Sequence, residues 1–116
     1  MTTLYLLVTV HLLCDYPLQG DFLAKCKNRR LGLISIPWWL AMASHTGIHS
    51  LGVYIVTQSM TLALIEWVLH FGIDVLKCEE KTNILEDQIL HILCKVFYVY
   101  GQFWFYWSMA ALYSAN

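Results

Sequence analysis

The chain has 116 residues, 59% of them hydrophobic and only 13% charged, with a net charge of −1. A soluble domain usually carries roughly 25% charged residues, so the balance points to a membrane protein and offers no basic patch for nucleic acid. Leu31 to Ile65 and Val96 to Asn116 contain no Asp, Glu, Lys or Arg, which excludes a small water-exposed domain that hides all its apolar surface.

In chain order, a first helix is predicted over about 3–15, where apolar residues run unbroken until Pro17 and Gly20 weaken the pattern. It has no basic leader and no small-residue cleavage site, so it reads as a retained helix and not a signal peptide. A basic interfacial segment follows over about 18–42, holding Lys25, Lys27, Arg29 and Arg30, whose expected role is to set topology or touch anionic lipid. Trp38 and Trp39 in it suit a bilayer interface. Further helices are predicted over about 43–57 (starting at Pro37 at the earliest), 62–77 and 84–113, near the length needed to span a bilayer. The whole of 1–116 reads as one integral membrane domain, an all-α four-helix transmembrane bundle. Cys14, Cys26, Cys78 and Cys94 form no C-x-x-C pair, and Cys14 and Cys94 read as small apolar side chains facing other helices. The aromatic run Phe103 to Trp107 is expected to face lipid at an interface.

Lys25, Lys27, Arg29, Arg30, Lys77 and Lys81 account for all but one of the seven basic residues. They fall in the first and third connections, which a four-helix layout places on one side. The positive-inside rule makes that side cytoplasmic and puts both termini outside. The lipid bilayer is then the first partner, and a second copy of the chain is another if one bundle is too small to enclose its polar face.

The chemistry lies in a repeated spacing of four. The first helix carries His11, Asp15 and Gln19; the second His45 and His49; the third Glu66, His70 and Asp74, with Lys77 three residues on; the fourth Asp87, His91 and Lys95, beside Gln88. Residues at i and i+4 share a helix face, so each helix has one polar stripe, and all five histidines lie in these stripes. Ionisable groups at mid-membrane cost about 2.5–3.5 kcal/mol each, which predicts that the stripes face inward as one polar cluster. His45 and His49 reach the depth of the others only if their helix starts near Ala43.

Three readings of the cluster stay open. In the first, His11, Asp15, His45, His49, His70, Asp74 and His91 ligate a divalent metal, zinc first and iron or manganese next. Glu66 or Asp87 would then be the catalytic base of a hydrolase acting near the membrane. In the second, the same groups relay protons or ions. In the third they are hydrogen-bonding glue between helices, the role expected of Gln19, Lys77 and Gln88 as a structural network. Lys95 is expected to snorkel or to pair with Asp87 or His91. Membrane-iron oxygenases generally use more histidines than these five.

The strings His11-Leu-Leu-Cys-Asp15-Tyr-Pro-Leu-Gln19, then Lys25, His45-x-x-x-His49, His70-Phe-Gly-Ile-Asp74-Val-Leu-Lys77 and Asp87-Gln88-x-x-His91 occur in this order. Over about residues 5–95 the chain resembles the domain of unknown function 3307 family of bacteria and phages. Typical members have Gly before the first Asp and Phe after it, where this chain has Cys14 and Tyr16. The resemblance implies a small four-helix protein of the bacterial inner membrane, often phage-encoded, with no assigned reaction. A looser similarity to membrane-bound metal-dependent hydrolases, which place His and Asp at helix ends, transfers no residues.

Overall fold

Helix boundaries sit where side chains meet orphaned backbone groups. In the computed structural model, which describes residues 1–31 and 36–114, Asn83 Oδ1 accepts from the backbone N–H of Leu85 at 2.9 Å and of Glu86 at 3.0 Å. Glu86 Oε2 returns the contact to Asn83 N at 2.8 Å. This reciprocal box satisfies donors that the first helical turn leaves free, and it starts the longest helix. Ser59 Oγ likewise caps its helix through Leu62 N at 3.3 Å. The turn before it is closed by Gln58, which takes the left-handed conformation at φ 55°.

The elements are α1 (Thr2–Asp15), α2 (Gly20–Cys26), a 3-10 turn (Arg29–Leu31), α3 (Trp38–Thr57), α4 (Met60–Cys78) and α5 (Ile84–Ser114). The fold is all-helical, with no strand among the described residues. The expected basic interfacial segment holds a helix of its own, α2, in addition to the four long ones. Leu33 and its neighbours at 32–35 lie outside the described residues.

α1 packs on α3 and α5, α3 on α4, and α4 on α5, so the four long helices close a ring, with α2 against α3. α1 and α3 approach closely at Gly52, where a Cβ would run into the Val10 side chain. Across α3 and α4, Ser50 Oγ donates to the Ala63 carbonyl at 2.7 Å and Trp67 Nε1 to the Ala43 carbonyl at 3.1 Å. At the far end Gln102 Nε2 donates to the Thr57 carbonyl at 3.0 Å. Beyond that contact α5 is exposed from Phe103 to Ser114.

The second long helix begins at Trp38 and not at Ala43. Pro37, extended at ψ 130°, precedes it, and its carbonyl accepts from Leu40 N and Ala41 N. Proline suits such a start because its fixed φ costs nothing there and its missing N–H is not needed. The early start does not displace the histidines. His45 lies about 10 Å in from Trp38 and His70 about 12 Å in from Cys78, so the two are level in the antiparallel pair.

Burial is inverted relative to a water-soluble protein. Among the described residues eight buried side chains are hydrophobic and thirteen are polar or charged. Outward-facing positions of the same helices carry large apolar groups, among them Leu51, Ile55, Val68, Leu93 and Phe97 at 56–73% exposure. No helix among the described residues is both long enough and apolar enough overall to cross a membrane.

Candidate metal centre

The i, i+4 stripes fold inward as their spacing predicts. His11, His45, His49, His70 and His91 are each at most 2% exposed, as are Glu66, Asp74 and Asp87. His70 is the hub: its ring centroid lies 5.5 Å from His11, 5.3 Å from His45, 3.8 Å from His49 and 4.0 Å from His91.

Two carboxylates stand in the middle of the rings. Asp15 Oδ1 is 3.4 Å from His45 Nε2, 3.2 Å from His49 Nε2 and 4.0 Å from His70 Nε2. Its Oδ2 is 3.2 Å from His11 Nε2 and accepts from Gln88 Nε2 at 2.8 Å. Asp74 Oδ1 is 3.7 Å from His70 Nε2 and 3.4 Å from His91 Nε2, while Oδ2 is 3.4 Å from His45 Nε2. Despite this closeness, Nε2 of His45, His49, His70 and His91 is buried without an aligned hydrogen bond. Buried polar atoms are nearly always paired, so these four nitrogens call for partners.

Among the described residues three groups of ligand atoms, all from buried residues but for the half-buried Asp15, could hold a metal ion, each with all its atoms within 4.8 Å of one another: His11, His49, Glu66 and His70; Asp15, His45, His49 and His70; and His70, Asp74 and His91. With metal–ligand bonds of about 2.0–2.1 Å, neighbouring atoms of a tetrahedral shell stand roughly 3.3 Å apart. The Asp15 contacts to His45 and His49 match that edge.

Ammonium groups occupy the other carboxylates. Lys27 Nζ is 2.5 Å from Asp74 Oδ2, so Lys27 turns inward and does not serve as one of the lipid-facing basic residues. Arg29 and Arg30 remain outside, paired with Glu79 and Glu80. The Arg29 contact holds the Glu79 carboxyl below its usual range. Lys95 is 1% exposed and lies 2.5 Å from Glu66 Oε1. It neither snorkels nor pairs with Asp87 or His91, because Glu66 faces it across the bundle. Glu66 Oε2 also accepts from Tyr98 OH at 2.8 Å, and Oε1 lies 3.0 Å from His70 Nδ1. Asp87 takes Lys77 at 3.1 Å and Gln88 at 3.2 Å on Oδ2, and its Oδ1, 3.6 Å from His91 Nε2, has no aligned hydrogen bond. Of the expected polar network, Gln88 and Lys77 join the cluster. Gln19 lies before α2 with its side-chain oxygen buried and unbonded.

Below Glu66 the interior turns apolar at Leu7, Val53 and Tyr98. These lie one turn on from His11, His49 and Lys95, so the polar faces run straight into an apolar layer. All four cysteines are free, Cys14 and Cys26 buried. Tyr98 and the inward course of Lys27 were not anticipated. Tyr98 extends the 87, 91, 95 stripe by three residues, a signal present in the spacing. Lys27 carries no such signal, since it follows a short helix.

The sequence model of a family described as a protein of unknown function (DUF3307) matches residues 3–116. The chain belongs to the DUF3307 family. The match takes in every residue of the cluster, so the histidine centre of this DUF3307 protein lies wholly inside the family domain. No curated protein and no solved structure matches.

Proposed function

We propose that the chain is a membrane-embedded helical bundle that binds one divalent metal ion, zinc in the first instance, through Asp15, His45, His49 and His70. The observation that carries this reading is the convergence of Asp15 and three buried histidines from three helices, with Nε2 of each histidine lacking an aligned hydrogen bond. Asp15 is favoured over the other carboxylates because Asp74, Glu66 and Asp87 each have a lysine. With neutral imidazoles, those four carboxylates against three lysines leave the cluster one negative charge. A divalent ion with one bound hydroxide balances it.

Such an ion would lower the pKa of a bound water and supply a nucleophile, which supports hydrolysis of a phosphoester or amide near the membrane. Of the two candidate bases, Asp87 keeps an unbonded oxygen, whereas both oxygens of Glu66 are engaged. Membrane placement is supported by the apolar outer faces and the polar interior: what lipid meets is the outside of each helix, not its average. The basic turns would then lie on the cytoplasmic side. A path for ions across the bundle is disfavoured, because the Lys95 ammonium and the Leu7, Val53, Tyr98 layer close its far end. Enclosure of the cluster needs no second copy.

Elemental analysis of detergent-purified protein tests the reading. Near-stoichiometric zinc, iron or manganese is expected in the wild type, falling sharply in His49→Ala and His70→Ala. A wild type that holds no metal even after reconstitution with zinc removes the metal and hydrolase readings together. Metal without turnover on phosphoester and amide panels removes only the second.

A further inference from the structure

We infer that Glu66 is a positioning residue, which fixes His70 as the Nδ1–H tautomer and thereby aims the Nε2 lone pair into the centre. Glu66 sits one turn before His70 on the same face of α4. Three contacts converge on its carboxylate: Lys95 Nζ at 2.5 Å, Tyr98 OH at 2.8 Å and His70 Nδ1 at 3.0 Å. A carboxylate paired with a buried ammonium only accepts hydrogen bonds. The nitrogen facing it must therefore be the one that carries the imidazole proton. Nε2 of a neutral ring is then left bare, and it is buried without an aligned partner, 4.0 Å from Asp15 Oδ1 and 3.7 Å from Asp74 Oδ1.

The supporting shell explains why a lysine and a tyrosine are buried here. Lys95 keeps Glu66 an acceptor, and Tyr98 holds its second oxygen so that the first cannot swing away from His70. Each is fully buried, and each comes from α5, whereas His70 and Glu66 come from α4. The tautomer of His70 is thus set across the α4 and α5 interface. Because His70 belongs both to the group with Asp15, His45 and His49 and to the group with Asp74 and His91, its orientation governs either of them. An outer carboxylate behind a ligating histidine orients the ring and raises its basicity. Only this consequence for affinity rests on the metal reading; the tautomer assignment stands on the hydrogen bonds alone.

Nitrogen NMR of ¹⁵N-histidine-labelled protein in micelles reads the tautomer directly, with and without zinc. His70 is expected protonated at Nδ1 in both states, with Nε2 shifted when zinc is added. Protonation of His70 at Nε2 overturns the proposal, whatever the metal content. Glu66→Met combined with Lys95→Met removes the acceptor and its counter-charge together and avoids a stranded buried ion. This double variant is expected to lose the fixed Nδ1–H state. If the wild type binds zinc, the same variant should bind it about 10–100-fold more weakly. An unchanged tautomer in the double variant also overturns the proposal. Absence of zinc binding in a wild type that shows the Nδ1–H tautomer overturns the metal reading and leaves the positioning role in place.

Discussion

An ammonium group out of water keeps its charge only beside an anion, and Lys27 meets that condition at Asp74, with its side chain 8% exposed. Lys27→Met strands the Asp74 carboxylate among imidazoles. Breaking one partner of a buried pair costs about 3–5 kcal/mol, so unfolding in detergent should begin at a markedly lower temperature or denaturant concentration. Lys27→Met with Asp74→Asn should recover most of that loss, and a single variant as stable as the wild type would mean that Lys27 is solvated. Residue spacing made much of this cluster legible beforehand. His11 with Asp15, His45 with His49, and Asp87 with His91 each repeat at four on an apolar helix, where a polar side chain has nowhere to go but inward. Spacing could not reveal which carboxylate each lysine would take. Lys95 lies one turn from His91, yet it pairs with Glu66 on the neighbouring helix, a choice made by packing and not by sequence distance.

The four long helices were readable as apolar stretches with polar stripes, whereas α2 was not, and the start of α3 was readable only as lying between Pro37 and Ala43. Seven residues are too few to show a helical period, and Pro37 can equally break a helix or begin one. Nor did composition disclose how closely α1 and α3 approach. Gly52 sits on the α3 face that meets Val10, one residue before His11 on α1, so the contact sets the distance between two histidine-bearing helices. Gly52→Ala should push α1 away and cost about 1–3 kcal/mol as an overpacked contact, with weaker zinc retention from the displacement of Asp15. Val10→Ala in the same chain should restore both. Stability and zinc content unchanged in the single variant would show that the side chain of Val10 simply moves aside.

Among the described residues the long helices turn their His, Asp and Glu stripes inward and many large apolar side chains outward, and α5, about 46 Å long at ~1.5 Å per residue, reaches past the bundle with Trp104, Tyr106 and Trp107 exposed. The expected outcome of cell fractionation is recovery in the membrane pellet, resistant to alkaline carbonate and released by detergent. Recovery in the carbonate supernatant would rule out the embedded placement. The closed end at Lys95 and Tyr98 has a further consequence. The cluster lies toward the turns that join α1 to α2 and α4 to α5, where the Lys77 side chain is 36% exposed. In the embedded placement proposed above, a cluster closed at that floor would answer to one compartment and not to the other. The acidity and trace-metal content of the solution on that side would then set the state of the imidazoles, while conditions beyond the apolar floor would leave them unchanged.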